Sequence, residues 1–315
     1  MHVLVTGGLG HIGSNLIRSL AENITIQNIT ILDNLYTQRY ASLFNLPSSV
    51  GYTFLDGDIL EPDDVDTAMQ GIDAVVHLAA ITDAEGSFDN LELVETVNYD
   101  GTRSIIQACV RHGIQRMIFP STTSVYGPVS GLAREDCDRS ELIPQSPYAT
   151  SKLNAEDEVL AATSRGELSG VVLRLGTIFG PSPGMRFHTA INKFVLQAVM
   201  GKPLTIWSEA VNLVRPYLAL EDCVKAIEFI LQRPDISGQV LNVVTINATL
   251  DRIISELRNS TPEVETCYTH TRLLNQVSYE VDDSKIRDLG FSYSGELGFG
   301  ISQTVKLLRS LMKSR

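Results

Sequence analysis

Two side chains capable of acid–base chemistry stand one helical turn apart in this sequence, Tyr148 and Lys152. A tyrosine phenol has an ordinary pKa of about 10 and is a poor base at neutral pH. The i, i+4 spacing places phenol and ammonium on one face of a helix, where a positive charge stabilises the phenolate. We therefore predict that Lys152 lowers the pKa of Tyr148 and that the pair takes the proton of an alcohol. Taken alone, the same spacing also fits a solvated helix face.

A glycine-rich turn, TGGLGHIG at 6–13, joins the first apolar run to the first amphipathic segment. Glycines at 7 or 8, 10 and 13 let a backbone turn sharply, approach a pyrophosphate and pack a helix against a strand. The helix that follows offers unpaired N–H groups and a partial positive charge to phosphate oxygens. This context predicts a dinucleotide site.

An acidic residue follows the second apolar run, at the distance expected for a ribose contact. Asp33 lies twenty residues after Gly13. A carboxylate there accepts hydrogen bonds from the ribose hydroxyls and repels a 2′-phosphate, which favours NAD over NADP. We interpret the nearby Arg39 as a surface charge.

The elements that must position these groups alternate through the first half. Apolar runs predict buried strands, and periodic amphipathic segments between them predict helices, which indicates a parallel sheet covered on both faces. The predicted strands are 3–6, 29–32, 52–55, 74–78, 117–119 and 171–175, and the predicted helices are 12–22, 62–70, 98–112 and 148–163.

The alternation ends near residue 176, where Pro181, Pro183 and Gly184 begin an irregular stretch. Helices are predicted near 188–200 and 220–232, strands near 204–207 and 240–244, and a mostly helical tail. The fold class is thus α/β, a Rossmann-type doubly wound parallel sheet with a smaller, mostly helical C-terminal lobe. We predict a dinucleotide-binding domain over 1–176 that carries the catalytic residues. A substrate lobe over 177–315 returns some segments to that domain.

Six motifs in chain order resemble those of the extended short-chain dehydrogenase/reductases, in particular the nucleotide-sugar epimerase/dehydratase branch. They are TGGLGHIG at 6–13, LDNL at 32–35, GDI at 57–59, HLAA at 77–80, STTSVYG at 121–127 and YATSK at 148–152. Further matches, LRLGTIFGP at 173–181, RPY at 215–217 with Asp222, and DSK at 283–285, extend the resemblance over nearly the whole chain.

By this resemblance the cofactor is NAD, held mainly by the first domain. The residues implied are Gly7, Gly10, His11, Ile12, Gly13, Asp33, Asn34, Asp58, Ile59, Leu78, Ala79, Ala80, Thr82, Asn98, Ser121, Tyr148, Lys152 and Gly176.

The resemblance also assigns catalysis and substrate contacts. It makes Tyr148 the base, Lys152 the partner that holds the nicotinamide ribose, and Thr122 the hydroxyl that bonds the reacting sugar oxygen. The residues implied for nucleotide-sugar binding are Thr122, Thr123, Tyr148, Thr177, Arg186, Lys193 and Arg215. Thr177 replaces a common asparagine, Trp207 is either a wall for the base or a core aromatic, and the usual RPGD motif near Arg272 reads RLLN.

We predict an NAD-dependent 4-epimerase of a UDP-sugar (hexose, N-acetylhexosamine or uronate), acting through a transient 4-keto sugar. A dehydratase, or a 4-ketoreductase or dehydrogenase, using the same groups is the alternative. Similar dehydratases place an Asp-Glu pair before the VYG motif, where this chain has Thr123 and Ser124. A non-catalytic NAD-binding scaffold is a third possibility, disfavoured because both Tyr148 and Lys152 are retained.

Composition narrows the class of protein. The chain has 315 residues and a net charge of −12, which disfavours binding to nucleic acid or an anionic membrane surface. Its four cysteines are scattered without metal spacing, which predicts reduced thiols and no metal site. No signal peptide or membrane span is expected, so we predict a cytoplasmic protein. The resemblance adds a homodimer formed through the helices near 98–112 and 148–163.

Overall fold

The structure, a computed structural model, describes residues 1–129, 131–269 and 278–310. The strands are β1 (His2–Thr6), β2 (Asn28–Asp33), β3 (Gly51–Asp56), β4 (Ala74–His77), β5 (Arg116–Thr122), β6 (Leu132–Ala133), β7 (Ser169–Leu175), β8 (Thr177–Phe179), β9 (Leu204–Trp207), β10 (Arg215–Ala219), β11 (Gln239–Val243), β12 (Ile246–Ala248), β13 (Thr266–Thr269) and β14 (Glu280–Val281). The helices are α1 (His11–Ser19), α2 (Pro62–Ala68), α3 (Leu91–Glu95), α4 (Gly101–His112), α5 (Pro147–Ser164), α6 (Ala190–Val199), α7 (Leu220–Leu231), α8 (Leu250–Ser260), α9 (Ser284–Asp288) and α10 (Leu297–Ser310).

Seven strands form one parallel sheet in the order β3-β2-β1-β4-β5-β7-β11. The chain runs outward from β1 to β3 and then crosses back to β4, so a crevice opens beyond the carboxyl ends of β1 and β4. The predicted doubly wound fold is confirmed. Its first strand–helix turn and the segment after β4 both end at this crevice.

Apolar side chains cover both faces of the sheet because its strands are almost entirely buried. On one face α1 and α7 pack through residues such as Leu16, Ile17 and Ile227. On the other face α2, α4 and α5 pack through residues such as Ile105 and Val159. These two layers hold the starts of α1 and α5 at fixed positions along the edge of the sheet.

The second half of the chain contributes to two bodies. Strand β11 joins the main sheet beside β7, and α7 packs beneath that sheet. A separate core forms where β8, β10 and β12 meet α6, α8 and α10. The domain division at residue 176 stays a prediction.

Most short strands of this second body were not indicated by the sequence; the exception is β9, which coincides with the strand predicted near 204–207. Besides the sheet β12-β10-β8, the two-stranded pairs β13-β9 and β14-β6 are formed, and β14-β6 links residues 280–281 to 132–133. Strands of two to five residues are too short to show a period of two, so these pairings escaped the periodicity argument.

The helix predicted at 98–112 begins earlier and contains an irregular turn. Helix α3 continues into α4 through a π-helical turn at Thr96–Asp100. Such turns insert an extra residue and change which side chains face inward. Here the turn carries Asn98, which is 1% exposed.

Within the described residues, every helix is too short or too polar to cross a lipid bilayer. In the same part of the chain, Cys109, Cys137, Cys223 and Cys267 are free thiols, and no cluster of His, Cys, Asp or Glu is arranged to hold a metal ion.

Candidate active site

The glycine turn brings the backbone of β1 against the segment that follows β4. Gly7 has a φ of +65°, and a side chain there would stand 2.6 Å from the Ala79 nitrogen. The first helical hydrogen bond runs from Ser14 N to Gly10 O (2.9 Å), so the N–H groups before Ser14 precede it. No side chain of the described residues caps α1. The start of α1 therefore presents open donors to an anion, as predicted.

Asp33 stands at the end of β2 beside this turn. Its carboxylate accepts hydrogen bonds from Leu9 N and Leu35 N, both at 3.0 Å. Burial raises the pKa of Asp33, while these two backbone bonds and the charge of Arg39 oppose that shift. Arg39 is partly buried and lies within electrostatic reach of Asp33. Our interpretation of Arg39 as a plain surface charge is therefore wrong.

Two further residues predicted to bind the cofactor meet next to Asp33. Asn34 donates from Nδ2 to Asp58 Oδ2 (2.8 Å), and Asp58 also accepts from Leu60 N (2.9 Å). The Ile59 side chain is 5% exposed and belongs to the core beneath α4, so only its backbone is placed to face a ligand.

The segment after β4, residues 78–82, is fixed by Asn98. The Asn98 carboxamide accepts from Ile81 N (2.8 Å) and donates to Ile81 O (3.0 Å). It also donates to Ser151 Oγ (3.0 Å), and Ser151 donates to Tyr148 O (2.9 Å). Through Asn98, the predicted nicotinamide side of the site (Leu78, Ala79, Ala80 and Thr82) is tied to the helix that carries Tyr148.

A buried histidine adds a second tie between the glycine turn and α4. Thr102 Oγ1 donates to Asn98 O (2.6 Å), so it accepts from His77 Nε2 (3.1 Å). The neutral ring then accepts at Nδ1 from the Thr6 hydroxyl (2.7 Å), whose oxygen accepts from Ala79 N (3.2 Å). Burial, together with the charge of Lys152, lowers the pKa of His77 to about 3, which keeps the ring neutral.

Tyr148 is the second residue of α5. Pro147 precedes it at the first position of the helix, and Ser146 is the N-cap. Its neighbour across the site is Thr122 at the end of β5, whose hydroxyl accepts from Ser124 N (3.1 Å) and hydrogen-bonds Tyr148. Burial raises the pKa of Tyr148, whereas the charge of Arg186 and the bond from Thr122 lower it. The structure thus brings Tyr148 and Thr122 together.

Lys152 packs against an aromatic ring of β5. Its ammonium lies over the Phe119 ring, 3.8 Å from the centroid, and the residue is 3% exposed. Burial lowers the pKa of Lys152 to about 7, against the opposing charge of Glu156. Burial raises the pKa of Tyr148, and the charge of Arg186 opposes that rise. That Lys152 lowers the pKa of Tyr148 stays a prediction.

Glu156 belongs to a buried polar group behind Lys152. It accepts from Ser121 Oγ and forms an ion pair with Arg174, whose Nη2 lies 2.8 Å from Oε2. Glu156 and Arg174 are 1% and 4% exposed. Ser121, predicted to bind cofactor, therefore faces Glu156.

Arg186 lies in the loop after β8, within electrostatic reach of Tyr148. It donates to Thr82 Oγ1, and its Nε is buried without a partner among the described residues. His188, Arg39 and Asp83 lie within electrostatic reach of it. The predicted substrate residue Arg186 and cofactor residue Thr82 thus meet beside the phenol.

The other residues predicted to bind the substrate, and Gly176, predicted to bind the cofactor, lie near the ends of other strands. Thr123 Oγ1 lies 3.4 Å from Tyr279 Oη, and the Arg215 guanidinium lies 5.8 Å from the centre of that ring. Gly176 donates its N–H to Val243 O (3.0 Å), and Thr177 pairs with Tyr217 in the small sheet.

Three predicted positions lie away from Tyr148 or outside the structure. Lys193 lies on α6, partly exposed, and Trp207 ends β9 opposite Thr269. Arg272 lies outside the described residues. The sequence did not single out Tyr279, Glu156, His188 and Asp83, because their interactions join elements that are distant in the chain and no motif reports them.

The arrangement fits a dinucleotide. The open N–H groups of α1 suit a pyrophosphate, and Asp33 at the end of β2 suits the hydroxyls of a ribose. Tyr148, Thr122 and Lys152 lie at the carboxyl edge of the sheet, where a nicotinamide and an alcohol would meet. These contacts support the predicted roles, which stay predictions.

Among proteins of known sequence, this chain is similar to sugar-nucleotide enzymes. It is 32% identical to the trifunctional UDP-glucose 4,6-dehydratase/UDP-4-keto-6-deoxy-D-glucose 3,5-epimerase/UDP-4-keto-L-rhamnose reductase of Arabidopsis thaliana, over 96% of this chain. The chain spans only 46% of that relative's length. It is 29% identical to an uncharacterized UDP-glucose epimerase of Bacillus subtilis, over 99% of both chains.

A solved structure shares the whole fold. The UDP-glucuronic acid 4-epimerase of Bacillus cereus, in complex with UDP-glucuronic acid and NAD, superposes with a TM-score of 0.89 at 28% identity. The alignment covers 99% of this chain and 100% of that one. The model of the NAD dependent epimerase/dehydratase family matches residues 3–243, from β1 to the end of β11. The chain therefore belongs to the NAD dependent epimerase/dehydratase family.

Proposed function

We propose that this chain is a UDP-sugar 4-epimerase that inverts C4 of the sugar without net oxidation or reduction. The observation that carries the proposal is the Tyr148 phenol, hydrogen-bonded by Thr122 and one helical turn from Lys152, at the carboxyl edge of the sheet. Family membership and the whole-length similarity to a UDP-sugar 4-epimerase support it.

Bound NAD would accept a hydride from C4 and return it to the opposite face. The chain's own residues handle the proton: Tyr148 as phenolate takes it from the 4-hydroxyl and later returns it. The Thr122 hydroxyl, held by Ser124 N, orients the oxygen of Tyr148. Burial raises the pKa of Tyr148, and the positive charge of Arg186 opposes that rise, which favours the phenolate relative to burial alone.

The charge beside Tyr148 favours an anionic sugar. Arg186 keeps a buried Nε without a partner among the described residues, and an arginine fork matches a carboxylate. His188 lies near Arg186, and the pKa of His188 is lowered to about 4 by burial and then by the charge of Arg186. We propose UDP-glucuronate as the preferred substrate, ahead of UDP-glucose and UDP-N-acetylglucosamine.

The dehydratase alternative requires acid and base groups besides Tyr148. At the two positions where similar dehydratases carry Asp and Glu, this chain has Thr123 and Ser124. Thr123 contacts the hydroxyl of Tyr279, and neither side chain supplies a carboxylate. The site thus favours inversion at C4 over loss of water.

The test is incubation of the purified enzyme with each of the three UDP-sugars, followed by product analysis by NMR and mass spectrometry. We expect the C4 epimer of UDP-glucuronate to accumulate to equilibrium with no absorbance of free NADH. A product lighter by one water would identify a dehydratase, and stoichiometric NADH release would identify a dehydrogenase.

A homodimer through α4 and α5 is part of the same proposal. Tyr99, in the π-helical turn before α4, donates to Glu158 Oε1 of α5 (2.9 Å), and Val110 on α4 is 45% exposed. Light scattering of the wild-type protein and of Val110→Glu tests it. A dimer that dissociates in the variant supports this interface, and a monomeric wild-type protein contradicts it.

A further inference from the structure

Residues 180–184, which follow β8, lie directly across the glycine turn of the first domain. We call this segment the clasp. Three hydrogen bonds join it to α1: His11 Nε2 donates to Gly180 O (2.8 Å), Ser182 Oγ donates to His11 O (2.9 Å), and Gly184 N donates to Ser14 Oγ (2.9 Å). The two residues of α1 that take part in these bonds, His11 and Ser14, are both buried.

The approach at Gly184 is as close as a backbone permits. A Cβ on Gly184 would stand 2.2 Å from Leu9 O and 2.5 Å from Gly10 O. Both obstacles are backbone atoms of the glycine turn, so no side chain can move aside. Any residue other than glycine must push the clasp away from the turn.

His11 fixes the chemistry of the contact. Because Gly180 O can only accept, Nε2 carries the proton and Nδ1 is an acceptor. Burial lowers the pKa of His11 to about 4, so the ring is neutral at physiological pH. His11 Nδ1 is itself buried with no partner in the described part of the chain.

The chain beyond the clasp returns to the opposite side of the site. Two residues after Gly184, Arg186 donates to Thr82, which follows β4. Asn192 on α6 holds this stretch by donating to Arg186 O (3.0 Å) and accepting from Gly180 N (3.3 Å). Residues 180–186 are therefore attached to the first domain at both ends, at the glycine turn and at Thr82.

We propose that the clasp, anchored by Ser14, Ser182 and Gly184, closes over NAD and sets the rate at which it dissociates. The inference rests on the proposed function, because a 4-epimerase needs its cofactor through two opposite hydride transfers. A hydride leaves C4 and the same hydride returns, so a cofactor lost between the two steps would leave the sugar oxidised. The clasp makes the cofactor a resident group rather than an exchanged one.

The experiment measures release of NAD from the full-length protein, separately from turnover. Protein loaded with radiolabelled NAD+ is chased with excess unlabelled NAD+, and retained label is followed with time. The variants are Gly184→Ala, which forces the clasp away, and Ser182→Ala, which removes one hydrogen bond. The matched controls are Gly298→Ala, which meets only the end of the Glu256 side chain, and Ser302→Ala, whose hydroxyl bonds Phe299 O.

We expect release to be about tenfold faster or more in Gly184→Ala, which corresponds to about 1.4 kcal/mol. Ser182→Ala should accelerate release by a smaller factor, and both controls should match the wild type. Because Ser182→Ala removes one bond only, it keeps the test decisive if Gly184→Ala fails to fold. Wild-type release in a folded Gly184→Ala or Ser182→Ala variant overturns the clasp.

Failure of the proposed function has a different signature. Slow release from the wild type, accelerated in the variants, with no conversion of any UDP-sugar would retain the clasp and overturn the epimerase. A wild-type protein that binds no NAD would overturn both.

Discussion

The ammonium of Lys152 lies on the face of Phe119, 3.8 Å from the ring centroid. The face of the Phe119 ring and the negative charge of Glu156 stabilise the Lys152 ammonium in a site that is almost closed to solvent. The carboxylate of Glu156 is in turn neutralised by Arg174. The protonation of Lys152 thus depends on residues outside the Tyr-x-x-x-Lys motif.

Replacing Glu156 by Gln should lower the pKa of Lys152 below its value of about 7. The reason is that the change removes the negative charge that opposes desolvation. Lys152 would lose its proton at a lower pH, by about one unit. The measurement is an NMR titration of protein labelled with ¹³C-lysine, with the Lys152 signal assigned from Lys152→Arg.

The control for this change is Glu158→Gln on the same helix, which should leave the Lys152 titration in place. Glu156→Gln alone leaves Arg174 buried without its partner and costs about 3–5 kcal/mol of stability. Glu156→Gln/Arg174→Met removes both charges and should give a smaller downward shift, because the like charge of Arg174 is removed as well. An unshifted titration in both folded variants would disprove the role of Glu156.

Replacing Tyr148 by Phe should reduce kcat by about 10³-fold or more, because the phenol oxygen is the proposed proton acceptor. The side chain keeps its shape, so the melting temperature and the NAD content should stay those of the wild type. Steady-state rates and the ultraviolet spectrum of denatured protein report the two quantities. The matched control is Tyr36→Phe, whose ring is 67% exposed; a Tyr148→Phe enzyme as fast as this control would refute the mechanism.

Replacing Asn98 by Ala should destabilise the fold through the segment after β4. Among the residues that the structure describes, the Asn98 side chain is the partner of both Ile81 N and Ile81 O. Two backbone groups left without these bonds cost about 2–4 kcal/mol. Urea unfolding measures the loss, and Asn90→Ala, at an exposed site, should change the free energy of unfolding by less than about 0.5 kcal/mol. Equal effects of the two changes would show that the hydrogen bonds between Asn98 and Ile81 contribute nothing to the free energy of unfolding.

His11 should make the protein less stable as the pH falls from 6.5 toward 4. Burial disfavours the charged imidazolium and lowers the pKa of His11 to about 4 in the folded chain, compared with an ordinary value of 6.5. Between these values the unfolded chain binds the proton and the folded chain does not, so stability is lost on acidification. The effect is on the order of 1–3 kcal/mol.

His11→Gln keeps a donor for Gly180 O and does not titrate, so its free energy of unfolding should fall less over the same range. Urea unfolding of both proteins at pH 6.5 and at pH 4.5 measures the difference. Identical losses in the two proteins would mean that His11 does not contribute.

Local sequence was enough for the parts of the fold that are built from neighbouring residues. The buried strands of the main sheet, the glycine turn and the helix beginning near Tyr148 follow from apolar runs, glycine spacing and helical periodicity. These features need only the residues within one element and its turn. The fold and the cradle were predictable for that reason.

The electrostatics of the site were not predictable in the same way. Arg186 acts on Tyr148 and contacts Thr82 from a loop beyond β8. The clasp contacts α1 although Gly184 and Ser14 are 170 residues apart in the chain. The spacing of Tyr148 and Lys152 did not indicate the contact between the Lys152 ammonium and Phe119 on β5. Contacts between residues so distant in the chain depend on how the two bodies pack, and no local pattern reports that packing.

The most direct test of the account uses UDP-glucuronate labelled with deuterium at C4. The enzyme, with no added NADH, should convert it to the C4 epimer with the deuterium still on C4, because one hydride leaves and the same one returns. Mass spectrometry and ¹H NMR of the product decide the matter. Retained label with inverted configuration is the predicted result; label lost to solvent, or a product that has shed water, would contradict it.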